Sequence, residues 1–150
     1  VSGAAVAYDF VTAPDSFPED GAVRDSTADF CRIGVRFHQT DGVEPTFWVT
    51  GCDIRARDVG VWVKNRRICN VTDNVFRQLS TTHPLTDIQF DWVHLGFVLR
   101  NRFEGTLAGG RKNVAVDADG NYIIIKENDL SGSAANAIEL APGAANILSQ

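Results

Sequence analysis

Two sets of short apolar segments alternate along this chain. The first set runs Val35-Arg36-Phe37, Val61-Trp62-Val63, Ile88-Gln89-Phe90, Val114-Ala115-Val116 and Ile138-Glu139-Leu140. Each reads apolar, other, apolar, the period of two that a strand with one buried face requires. The second set is clearest in Ile123-Ile124-Ile125-Lys126-Glu127-Asn128-Asp129-Leu130, which matches Val98-Leu99-Arg100-Asn101-Arg102-Phe103 type for type from Ile125 onward. Degraded copies stand at Val71-Thr72-Asp73-Asn74-Val75-Phe76 and Val49-Thr50-Gly51-Cys52-Asp53-Ile54, and Ile147-Leu148-Ser149-Gln150 reads as the start of a fifth, at spacings of 22, 27, 27 and 22 residues. Self-similarity at such a period marks a stacked repeat. Within each copy a polar residue follows the apolar one by three and an apolar residue follows by two more, which suits a short strand turning a corner rather than a helix.

Two strand series interleaved at one period give each coil at least two strands. Equivalent strands of successive coils then pair in parallel at roughly 4.8 Å per coil. The predicted architecture is all-β, a parallel β-helix of about five coils over residues 31–150. Residues 1–30, with Pro14, Pro18 and little alternation, are expected to form an irregular segment capping the first coil. Leu79 to Asp87 has turn composition and is expected to bulge as a surface loop.

The Val-x-x-Asn-x-Phe/Leu corner and the Gly/Asn-Val/Ile-x-Val/Leu strand, over residues 33–150, resemble those of the right-handed parallel β-helix proteins of the pectate-lyase type. That group includes polysaccharide lyases, hydrolases and epimerases, and this chain is closest in character to its phage tailspikes. The resemblance implies the fold and a polysaccharide partner, and for tailspikes a homotrimer with the β-helices side by side. It carries over no catalytic residue by position, because many chemistries share the scaffold.

Composition narrows the rest. The chain is 150 residues and 44% apolar, enough for one well-filled core. A net charge of −5 disfavours nucleic acid as a partner. Arg55, Arg57, Lys64, Arg66 and Arg67 form a local basic stretch, read either as a solvated loop or as a groove for an anionic polymer. No apolar run is long enough to insert in a membrane. The absence of methionine, at position 1 and elsewhere, and the stop partway through a corner copy suggest a piece of a longer chain. Cys31, Cys52 and Cys69 have no metal-binding spacing, and no cofactor or metal is implied. Cys52 takes the place that Asn holds in later coils and is expected to be a small interior residue.

Asn74, Asn101 and Asn128 fall one per coil at one corner, where they are expected to hydrogen-bond one another up the stack and to tolerate a left-handed bend. If Val35 and Phe37 face in, two outward columns result: Arg36, Trp62, Gln89, Ala115, Glu139, and His38, Lys64, Asp91, Asp117, Ala141. A tryptophan flat on a sheet among polar groups is suited to stacking on a sugar. The candidate substrate-binding residues are therefore Arg36, His38, Trp62, Lys64, Gln89 and Glu139. Asp91 and Asp117, about 5 Å apart at the backbone on adjacent coils, are the candidate catalytic pair, since glycoside hydrolysis uses two close carboxylates. The competing reading makes Asp91 a cross-coil ion-pair partner of Lys64. Trp48, Phe97, Ile124 and Leu99 form an outward apolar stripe, either a trimer interface or a surface covered by residues 1–30.

Three functions stay open. One is a phage tailspike-like protein, on a virion tail or extracellular, that binds a bacterial surface polysaccharide with or without cleaving it. Another is a secreted lyase, hydrolase or epimerase acting on an acidic polysaccharide. The third is a structural β-helix with no ligand.

Overall fold

A computed structural model describes residues 1–12, 20–39, 46–78, 86–105, 111–119, 121–130, 137–144 and 147–149. All its regular elements are strands: β1 (Val6–Thr12), β2 (Gly21–Arg24), β3 (Thr27–Gln39), β4 (Thr46–Thr50), β5 (Asp53–Thr72), β6 (Val75–Gln78), β7 (Thr86–Leu99), β8 (Arg102–Glu104), β9 (Lys112–Val116), β10 (Tyr122–Lys126), β11 (Ile138–Leu140) and β12 (Ile147–Ser149). Every pairing is parallel and joins one winding to the next, so the chain is a parallel β-solenoid of about four turns. On the third side of the last windings, Arg102 and Asp129 are joined by an isolated parallel bridge.

Each winding has three faces. The first stacks β1, the end of β3, the middle of β5, the start of β7, β9 and β11. The second stacks β2, β4, the ends of β5 and β7, β10 and β12. The third stacks the starts of β3 and β5 with β6 and β8.

The inward residues are those the alternation names. Val35, Val61, Ile88 and Val114 lie in register on the first face, as do Phe37, Val63, Phe90 and Val116 two residues on. All eight are at most 2% exposed. The second face contributes Val49, Val71, Val98 and Ile125, and the third Ile54, Phe76 and Phe103, the last two with rings stacked at 5.2 Å. Full burial of one such side chain contributes about 1.5–3 kcal/mol, so the fold is held by columns in which each rung covers the next.

Within the expected 1–30 cap, the described residues include two regular strands, and 13–19 lie outside the described residues. Tyr8 and Phe10 lie opposite Val35 and Phe37, and Ala22 and Val23 lie opposite Trp48 and Val49, so β1 and β2 are rungs of the stack itself. The period in β1 is masked by apolar Ala7 and Val11, which interleave with it. The fifth corner copy is also shifted: Ile147 pairs with Ile123 and Ser149 with Ile125, because the intervening stretch is two residues longer than the repeat anticipates. Of the expected 79–87 loop, 79–85 lie outside the described residues; Asp87 is in β7 and buried.

The corner between second and third faces is the most regular feature. Asp25, Gly51, Asp73, Arg100 and Glu127 hold positive φ there, between 46° and 68°. The left-handed residue is thus the one before each asparagine, not the asparagine as anticipated. The asparagines instead turn inward: Asn74 and Asn101 are 1% exposed. Oδ1 of each accepts the backbone N–H of its equivalent one winding earlier, in Cys52←Asn74, Asn74←Asn101 and Asn101←Asn128, at 2.8–3.0 Å. Cys52 is buried at the head of this column, as its place in the repeat requires.

Candidate functional site

The outward side chains of the first face fall into the two columns the alternation implies. Arg36, Trp62, Gln89, Ala115 and Glu139 are in register along one. His38, Lys64 and Asp91 are in register along the other. Asp117 follows immediately below, its N–H bonded to the Phe90 carbonyl. All eight candidate residues therefore share one face.

Hydrogen bonds tie several of them together. The Trp62 indole Nε1–H donates to Asp91 Oδ2 at 2.6 Å, and the Gln89 amide donates to both Asp91 oxygens at 3.1 and 3.2 Å. Asp91 is thus the clasp that holds Trp62 and Gln89 against the sheet. Lys64 stands beside Asp91 in register but forms no ion pair with it among the described residues. The His38 ring lies 6.1 Å from that of Trp62, tilted by 30°. Its imidazole is held below the usual histidine range by burial first, then by Lys64 and Arg36. Arg36 sits one rung above Trp62 and is engaged by Asp9 through two bonds of 2.8 and 2.5 Å.

Below Gln89 the column drops to Ala115, whose single methyl leaves a gap between the taller Gln89 and Glu139. The result is an open depression of about 230 Å³, walled by Gln89, Asp91, Asp117, Lys112 and Glu139 over an Ala115 floor. Lys112 Nζ is paired with the Glu139 carboxylate. Three carboxylates against one paired ammonium make the depression acidic.

Asp117 also has a local task. Its Oδ1 accepts the N–H of Trp92 at 3.0 Å and of Asp119 at 3.2 Å. The first of these steadies a corner where Trp92 has φ 59°. Both members of the candidate catalytic pair are therefore engaged as hydrogen-bond acceptors, and these bonds suffice to account for their positions. Of the basic stretch, Arg55 pairs with Asp29 on the third face and Arg57 with Asp58, while Lys64 stands on the first face; the Arg66 side chain lies outside the described residues. Among the described residues no cluster of His, Cys, Asp and Glu could hold a metal ion, and no helix is long and apolar enough to cross a membrane.

Sequence reasoning missed Lys112 as a wall residue, and it missed a buried polar group beneath that wall made by Asp87, Arg111 and Asn113, each at most 3% exposed. A signal for two of these was available. Asp87 and Asn113 each precede an inward residue of the first series, Ile88 and Val114, and so had to lie one above the other. No family model, curated protein or solved structure matches this chain, and of the resemblance expected from the sequence the structure bears out the parallel β-solenoid architecture alone.

Proposed function

We propose that this chain is a polysaccharide-binding β-solenoid of tailspike-like character, with the first face as its glycan surface and a virion tail or extracellular setting to match. The observation that carries this reading is the Trp62 indole held by Asp91, whose carboxylate also lines an open depression with both donors and acceptors in its walls. An apolar floor with hydrogen-bonding walls suits a sugar ring, which presents C–H groups on its faces and hydroxyls at its edge. The acidic balance of the depression favours uncharged residues, whose hydroxyls donate to carboxylates, over a polyuronate. That weighs against an enzyme acting on an acidic polysaccharide, as do the structural bonds already made by Asp91 and Asp117.

The second face supports the accompanying proposal of a homotrimer. Thr46, Ile68, Leu95 and Tyr122 form one outward column, and Trp48, Asn70, Phe97 and Ile124 the next. The described part of residues 1–30 contributes rungs β1 and β2 rather than a cover. Tyr122 is 59% exposed. Six of these eight outward residues are apolar; such a sheet face is rare on a monomer, and burying it against two equivalent faces satisfies it.

The test is titration of the chain with neutral bacterial surface polysaccharides by calorimetry, with product sizing to detect cleavage. Saturable binding that Trp62→Ala weakens at least tenfold, with thermal unfolding unchanged, is the expected result. Binding indifferent to Trp62→Ala removes the first face as the site. Light scattering that reports a monomer at micromolar concentration removes the trimer.

A further inference from the structure

We propose that the buried Asp87–Arg111 pair positions the Lys112 wall of the depression, and that proton uptake at Asp87 releases Arg111 and so weakens glycan binding. This rests on the glycan reading of the first face.

The register fixes the setting. Gly34, Gly60, Asp87, Asn113 and Ala137 stand in one column where the third face turns into the first. The windings approach closely here: a Cβ on Gly60 would lie 2.4 Å from the Asp87 carbonyl oxygen. Small residues fill the column except at its middle. There Arg111 turns its guanidinium inward, with Nε to Asp87 Oδ2 at 2.8 Å and Nη2 to Asp87 Oδ1 at 3.0 Å. Nη1 and Nη2 also reach the carbonyls of Glu104 and Phe76, at 2.7 and 3.3 Å. The Asn113 amide donates to Asp87 Oδ2 at 2.7 Å. The two charged side chains are 1% and 2% exposed.

Replacing such a pair by apolar groups is often neutral or stabilising, so burial of charge gives the stack no advantage that glycine or alanine at the other rungs lacks. Its location is informative instead. Thr86 and Lys112, the residues flanking the pair, lie opposite one another in register and both border the depression, where Lys112 holds Glu139. Arg111 is the residue before Lys112, so the guanidinium's grip sets where that wall begins.

Charge then supplies the lever. Burial pushes the Asp87 carboxyl up to about 6, against the pull of Arg111 and then Asn113. Arg111, from the residue before β9, is the charged group that faces it. From β8, Glu104 turns its carboxylate to Arg77 and offers the cluster only its carbonyl; β5 and β6 present Gly60 and the Phe76 carbonyl; Lys112 is engaged outside by Glu139. Withdrawing Arg111 into water removes the attraction that opposes protonation, so Asp87 binds its proton more tightly in that state. By linkage, acid favours the state with Arg111 withdrawn and Asp87 still buried as a neutral acid against Asn113. The unfolded chain, by contrast, has Asp87 near the ordinary aspartate value of about 3.9. The folded chain therefore holds a proton that the unfolded chain lacks between that value and about 6. This group's contribution to global stability accordingly rises as pH falls through that window. Local loosening without global destabilisation is the signature that separates this device from acid denaturation.

The experiment uses the full chain, with backbone hydrogen exchange corrected for intrinsic rates at about pH 7 and about pH 5 and neutral-polysaccharide affinity at both. The expected result is a tenfold or greater loss of protection at residues 111–114 on acidification, with a several-fold loss of affinity and no fall in the denaturant midpoint. Asp87→Asn, which cannot titrate and cannot hold the guanidinium by charge, should show the low protection and low affinity at both pH values. Wild-type protection at 111–114 that is the same at both pH values overturns the release of Arg111 even if glycan binds. Protection that falls while affinity holds overturns the positioning role. Absence of glycan binding at every pH defeats the glycan reading and the positioning role with it, while the exchange measurement still decides the release.

Discussion

Asn101 Oδ1 receives both the backbone N–H and the side-chain amide of Asn74, each at 3.0 Å, from the winding before it. The Asn101 amide in turn donates to the Val71 carbonyl at 2.8 Å and to Asn128 Oδ1 at 3.1 Å. One side chain thereby satisfies main-chain groups of two neighbouring windings at a corner where the strand ladder is interrupted.

Truncation of that residue should be costly in proportion. Asn101→Ala leaves the Asn74 N–H and the Val71 carbonyl without their partner in a buried corner, for a loss of about 3 kcal/mol. Asn101→Asp should be worse near neutral pH, because it sets a carboxylate oxygen against the Val71 carbonyl and Asn128 Oδ1, and should recover part of the loss as the acid is protonated. Denaturant melts of both variants at two pH values check this. An Asn101→Ala midpoint equal to that of the parent would mean that the ladder contributes nothing.

The same column carries a gap that can be filled. Cys52 Sγ lies 3.6 Å from the Val23 carbonyl, the oxygen that stands where the Asn74 amide meets the Val49 carbonyl at 3.0 Å one winding on. Burial raises the thiol's proton affinity, so it stays neutral and offers only a weak donor. Cys52→Asn extends the ladder by one rung, with Nδ2 placed for both the Val23 carbonyl and Asn74 Oδ1. The expected gain is about 1 kcal/mol, seen as a higher thermal midpoint; a lower midpoint would show that the corner at Gly51 is too tight for the larger side chain.

How much of this was legible beforehand follows from what sets a solenoid. Its register is written in side-chain period, so Val35, Val61, Ile88 and Val114 could be aligned by eye, and the outward columns at Arg36 and His38 followed from them. The asparagine column was legible for the same reason. The rungs β1 and β2 were not: β1 carries the period in Tyr8-Asp9-Phe10, but apolar Ala7 and Val11 interleave with it, and β2 offers only Ala22 and Val23 in four residues; what marks both as rungs is their parallel register with β3 and β4. The bonds that occupy Asp91 and Asp117 were equally hidden, since Trp62 to Asp91 runs diagonally between columns and Trp92 to Asp117 joins a side chain to a corner amide. Nothing in the sequence around Arg111 says that its guanidinium turns inward to Asp87.

His38 shares the first face with Lys64 and Arg36. Burial and then these two cations lower its proton affinity, outweighing the opposing pull of Asp91 and Asp9. The imidazole is therefore neutral in the folded chain at pH values where an ordinary histidine, near 6.5, begins to charge. The unfolded chain takes up the proton first, so stability from this group is present above the unfolded value and is lost as pH falls through the folded one. The effect is small, because the ring is in part solvated, and it opposes in sign the contribution of Asp87. Proton NMR of the His38 ring should show a midpoint below 6.5, and Lys64→Gln should move that midpoint upward by removing the stronger of the two repelling charges while leaving the burial. A midpoint that ignores Lys64→Gln would place the Lys64 ammonium away from the ring, and with it away from the Trp62 surface against which a sugar is proposed to stack.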